Sequence, residues 1–186
     1  MDTKINIKKI NEKHYRIQLN LINQSIDNKM IDDFSLITML FNLNKDHFVD
    51  GMIQTIHNDS NNKVIMILVK PICKEFGFNQ RYLFLELVRT ENGQIYSIKG
   101  KPCSTQSILP ITYQNLINSP NIINTPLSNI TFSIDKTISS KIDICIDFEL
   151  DNTFYSFPMF DTLIKTFLKS IFKKLQHAYS LIPKPN

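Results

Sequence analysis

The sequence predicts an α+β fold: a curved, mostly antiparallel β-sheet of roughly six to eight strands with a long amphipathic C-terminal helix packed on one face. Three observations carry that expectation. Between residues 158 and 182, apolar side chains including Leu163, Ile164, Phe167, Leu168, Ile171, Phe172, Leu175 and Tyr179 recur at three- and four-residue steps. This is one stripe of a helix, with Asp161, Lys165, Lys169, Lys173, Lys174 and His177 in the gaps. Just upstream, Ile142, Ile144, Ile146, Phe148 and Leu150 alternate with Lys141, Asp143, Cys145, Asp147 and Glu149, the signature of a half-buried strand. Asn92-Gly93 between two β-rich runs marks a hairpin, because both residues tolerate positive φ. The helix stripe and the strand's apolar face each need a cover, and laying one on the other satisfies both.

The elements follow in order. Tyr15, Ile17, Leu19 and Leu21 alternate with His14, Arg16, Gln18 and Asn20, and Ile5 and Ile7 begin a similar pattern before a turn at Asn11-Glu12-Lys13. Residues 23 to 30 read as polar loop. Residues 31 to 43 read as a short helix opened by Asp32-Asp33, although the run Ile37, Met39, Phe41, Leu43 also fits a strand. Met52 to His57 is a strand, Asn58 to Asn62 a turn cluster, and the unbroken apolar run Val64 to Val69 a central strand covered on both sides. Arg81 to Arg89 and Gln94 to Lys101 flank the Asn-Gly turn. Pro102, Pro110, Pro120 and Pro126 then break residues 102 to 128 into a long irregular connection packed by its own isoleucines. Such long connections tend to carry function, which makes this one a candidate binding region. Ile130, Phe132 and Ile134 start the last hairpin, and the terminal helix is closed by Pro183 and Pro185. With no internal repeat, residues 1 to 186 read as a single domain, long enough to bury a core without disulfides or metal.

Composition is globular, 42% hydrophobic and 20% charged. It is also skewed: 29 Ile against 4 Val and 1 Ala, 18 Lys against 3 Arg, and 19 Asn. Ile, Asn and Lys share A/T-rich codons, so an A/T-rich genome explains the skew, as found in many protists, their large DNA viruses and reduced bacteria. Chance therefore accounts for the three glycosylation-like patterns at Asn23, Asn58 and Asn129. Cys73, Cys103 and Cys145 are odd in number and widely spaced, which suits reduced thiols and an intracellular, cytoplasmic (or virion) location. The N-terminus lacks a secretory apolar region, and no stretch reaches the roughly 18 apolar residues of a membrane span.

Three constellations have chemistry worth weighing. Asp143, Asp147 and Glu149 share the polar face of the last strand and can flank a divalent cation, but a solvated outer face explains them without one. His47, Asp50, His57 and Asp59 lie within thirteen residues and offer metal-ligating or acid–base types. Their spacing matches no helix-borne or knuckle motif, and polar loop residues are the simpler reading. Residues 158 to 186 carry a net +4 and residues 135 to 157 a net −3. That asymmetry fits intramolecular complementarity, nucleic acid or anionic lipid, and the scattered Arg16, Arg81 and Arg89 argue against nucleic acid.

No nucleophile elbow, zinc pair or glycine-rich phosphate loop is present; the glycines at 51, 77, 93 and 100 are far apart. The sequence thus implies no catalytic residue, metal or cofactor. The leading expectation is a non-enzymatic structural or protein-interaction subunit of an intracellular or viral assembly, with protein partners and peripheral membrane contact as further possibilities. The alternative is a carrier of a small apolar ligand or lipid held between the C-terminal helix and the sheet by Ile144, Ile146, Phe167 and Ile171.

Overall fold

The computed structural model describes residues 5–22, 33–56, 59–70, 80–104, 106–125, 127–138, 141–150 and 159–181. The polar stretch 23–30, His57, Cys73 and Gly77 lie outside them. Strands β1 (Asn6–Lys9) and β2 (His14–Ile22) form the expected hairpin. Its turn is held by Asn11, whose Oδ1 accepts the backbone N–H groups of Lys13 and His14 at 2.9 Å each. Tyr15, Ile17, Leu19 and Leu21 are all buried, as their alternation requires.

Residues 33–43 resolve the helix-or-strand ambiguity as helix α1 (Asp33–Leu43), which buries Phe34, Leu36 and Ile37. Gly51 lets α1 sit close to the sheet: a Cβ there would lie 2.6 Å from the ring of Phe41, which stacks on Phe48. Strand β3 runs Phe48–Ile56 and β4 Asp59–Val69, so the expected turn cluster at 58 to 62 is displaced. Thr55 pairs with Lys63 but Ile56 with Asp59, so the intervening polar residues are absorbed as a bulge in β4. Strand β4 is covered on both faces: Ile65 joins the helix-side core, and Val64 and Met66 join a second core on the outer face.

Strands β5 (Gln80–Asn92) and β6 (Ile95–Pro102) form the expected hairpin, shifted by one residue. Asn92 pairs with Ile95, so the two turn residues are Gly93 and Gln94, with Gly93 at φ 64. Residues 102 to 128 are not an irregular connection. They contain a 3-10 turn (Gln106–Ile108), helix α2 (Ile111–Ile117) and strand β7 (Ile122–Asn124), which pairs parallel to the start of β5. Leu109 and Ile117 fasten this segment to Val64, Met66 and Phe84, burying apolar surface that short elements cannot bury alone.

Strands β8 (Leu127–Asp135) and β9 (Lys141–Leu150) precede the terminal helix α3 (Phe160–Ser180). The sheet order is β1-β2-β9-β8-β6-β5-β4-β3, and β7 makes the only parallel pairing among the described residues. The first hairpin thus docks on the last strand, with Ile17 opposite Ile146 and Leu19 opposite Ile144. The fold is α+β as the sequence predicts, with α1 and α3 on one face of a mostly antiparallel sheet. Among the described residues no helix is long and apolar enough to cross a membrane.

Candidate functional site: the helix–sheet interface

Helix α3 packs against β2 and α1 over the apolar face of the sheet, and its cover is uneven. Ile171, Phe172, Leu175 and Tyr179 are buried, with Tyr179 at 0% exposure. One to two turns earlier, Ile164, Phe167 and Leu168 are only partly covered, and Leu163 is 36% exposed. The amino-terminal half of α3 therefore holds large apolar side chains that the protein's own sheet does not fully cover. Ile144 and Ile146 of β9 and Ile171 of α3 belong to one large buried apolar cluster, and Phe167 packs partly buried against it.

Polar clasps fix the helix at both ends. Asp161, in the first turn, accepts Lys9 Nζ at 2.9 Å and the buried Tyr15 hydroxyl. Hydrogen bonds from Tyr15 and Lys9 outweigh desolvation and hold the Asp161 carboxyl below its ordinary value. Near the far end, Lys174 Nζ contacts Asp46 at 2.6 Å and Gln176 donates to the Asn20 carbonyl at 3.0 Å.

The connection from α1 to β3 contributes two polar side chains that sequence reasoning did not single out together. Asn44 is 0% exposed. Its Nδ2 donates to the Leu40 carbonyl at 2.8 Å, capping α1, and to the Ile171 carbonyl of α3 at 3.4 Å. Two carbonyl partners fix the amide orientation, and the Oδ1 left over has no partner among the described residues. His47 lies edge-on to Phe167 at 5.2 Å, and its Nε2 is also buried without a hydrogen bond among the described residues. Each unpaired buried polar atom costs about 1–3 kcal/mol. Only the tertiary cover by α3 buries Asn44, so local sequence pattern held no signal for it.

The remaining constellations do not assemble. Asp50 accepts the Gly51 N–H at 2.7 Å and faces the Tyr113 hydroxyl, whereas Asp59 accepts the Asn61 N–H at 2.8 Å beyond the other end of β3. His47 points to α3, and His57 is outside the described residues. No group of three metal-ligating side chains occurs among the described residues. On the acidic face of β9, Asp147 and Asp143 are ion-paired. Asp147 takes Arg16 at 2.8 Å and His14 at 2.9 Å, and Asp143 takes Lys141 at 2.7 Å. Burial alone would raise the Asp147 carboxyl, but Arg16 and His14 prevail and lower it. Burial and the neighbouring Asp147 push the Cys145 thiol up, which makes it a poor nucleophile. Because side chains alternate, Asp143 and Asp147 face away from α3. The helix lysines and the acidic strand are thus not complementary, and Lys174 meets Asp46 instead.

No protein-family model and no curated protein matches the sequence. Solved structures do match the fold. Human STARD10 aligns with TM-score 0.63 at 10% identity, over 94% of this chain and 72% of that one. The lipid transfer and protein localization domain of human StarD13 (DLC2) aligns with TM-score 0.65 at 5% identity, over 97% and 91%. Human StAR-related lipid transfer protein 5 aligns with TM-score 0.61 at 9% identity, over 94% and 86%. The expectation of a structural or interaction subunit rested on missing chemical signatures and on a long irregular 102 to 128 segment, which instead holds ordered elements. It is corrected here, because the solved structures that share this fold include proteins named for lipid transfer. The chain is similar in fold, across almost its whole length, to StAR-related lipid transfer domains.

Proposed function

We propose that this chain carries a small apolar ligand of the lipid class between α3 and the apolar face of the sheet. Ile144, Ile146, Phe167 and Ile171 form the contact surface, and no catalysis is involved. The observation that carries the reading is the uneven cover of α3: Ile164, Phe167 and Leu168 face the sheet yet stay partly exposed, on a fold shared with lipid-transfer domains. A bound acyl or ring system supplies the missing cover at roughly 25 cal/mol per Å² of apolar surface removed from water. Peripheral membrane contact belongs to the same proposal, because a lipid carrier must meet a bilayer to load. Met159 and Leu163 expose apolar surface at the helix end that such contact would use. An intracellular location is likewise part of the proposal, in keeping with the free thiols of Cys103 and Cys145.

The test is transfer of a fluorescent lipid between donor and acceptor vesicles, together with organic extraction and mass spectrometry of the purified protein. The carrier reading expects saturable transfer that rises with protein concentration, and a co-purifying lipid. No transfer and no extractable lipid would overturn it.

A further inference from the structure

Lys63 stands where the alternation of β4 calls for an apolar side chain. It shares a strand face with Ile65, which belongs to the buried cluster under the helices. The lysine is half-buried, and its Nζ lies 4.4 Å from the centroid of the Phe34 ring. Among the described residues no carboxylate pairs with it. Beside it runs a groove of about 490 Å³, lined by Lys63 and, on α1, by Phe34, Ser35, Thr38, Met39 and Leu43. Small-molecule sites occupy roughly 300–1,000 Å³, and the lower half of that range suits one acyl chain, not two. Phe34, Met39 and Leu43 supply an apolar wall, while Ser35 and Thr38 are exposed and leave the groove open to solvent. From Phe34 to Leu43 the helix rises about 13 Å, with the cation at the Phe34 end.

We infer that this groove binds a single-chain amphiphile with an anionic head, the head on Lys63 and the chain along Phe34, Met39 and Leu43. The Phe34 ring attracts the ammonium through its quadrupole, but it takes no charge-assisted hydrogen bond, as a carboxylate or phosphate oxygen does. A neutral head forfeits that bond, and a cationic head is repelled. Apolar wall and lone cation together therefore match an amphiphile of opposite charge. None of the groove residues named above belongs to α3, β2 or β9, so the site is separate from the helix–sheet interface proposed for the carried ligand.

The experiment uses laurate, lauryl phosphate and methyl laurate, which share one chain and differ in the head. Each is titrated calorimetrically, below its micelle concentration, into the full chain and into Lys63→Met, which keeps an unbranched apolar stem beside Phe34. Both anions are expected to bind the parent protein roughly ten-fold more tightly than the neutral ester, and the tighter of the two identifies the head. In Lys63→Met that preference falls to near unity. Ser35→Trp, at an exposed position lining the groove, weakens both anions by filling it. Equal binding of anions and ester to the parent overturns the assignment, and so does an absence of binding. A preference that survives Lys63→Met also overturns it, because the anion then sits elsewhere, the helix–sheet interface included. Vesicle-to-vesicle lipid transfer should keep the parent rate in Lys63→Met, so the groove can fail while the carrier reading stands. The comparison in the parent protein needs no variant to fold.

Discussion

Leu175 is 2% exposed and faces the sheet with no polar atom to satisfy, so truncating it removes apolar contact and leaves a hole. Leu175→Ala is expected to lower stability by about 2–5 kcal/mol in urea unfolding, whereas exposed Lys169→Glu should stay within about 0.5 kcal/mol. Equal midpoints for the two would show that α3 is not seated on the sheet. Asp161 makes a pH-dependent contribution. Its carboxyl lies below the ordinary value in the folded protein, so the stabilisation is fully present above about pH 4. It is lost as pH falls through the lower folded value, because the protonated group no longer pairs with Lys9. The stability difference between the parent protein and Asp161→Asn should therefore be largest near neutrality and shrink below pH 4. A difference constant across that range would refute the clasp. Residue-level legibility was mixed. The buried alternation of Ile144 and Ile146 was readable, and so was the inward stripe through Ile171. The burial of Asn44 was not, since an asparagine after a helix looks like any polar loop residue until another helix is laid over it.

Helix α3 is two structures in one length. The half around Leu175 and Tyr179 is locked under the sheet's apolar face, and the half around Leu163 to Leu168 is not. Backbone amides of residues 164–169 should exchange with deuterium faster than those of residues 173–179. Bound ligand should slow the first set more than the second. Uniform protection along the helix would count against a ligand site beneath its first half. Long elements with a steady period were readable: β2, β9 and α3 stand where alternation and the helical stripe put them. Short ones were not. Helix α2 has seven residues and β7 has three, too few to show a period, and the bulge in β4 hid strand residues behind a turn-like composition.

At the scale of the molecule, the pairing of β2 with β9 gives the sheet its order, and alternation within each strand carries no record of its partner. The proposed function was equally silent in the sequence. A carrier of apolar molecules works through isoleucine, leucine and phenylalanine, the same residues that build any interior, so no motif distinguishes holding a ligand from holding the fold. A lipid at a hundred times its dissociation constant should stabilise the folded chain by about 2.7 kcal/mol. That shift is readable as a rise in melting temperature, and an unmoved melt with saturating lipid would deny binding. The hairpin that opens the described chain finds its hydrogen-bonding neighbour only in β9, and Tyr15 and Lys9 find Asp161 later still. During synthesis, the greasy side of Tyr15, Ile17, Leu19 and Leu21 must wait for β9 to leave the ribosome. A nascent protein of this design keeps that flank open until β9 has been made.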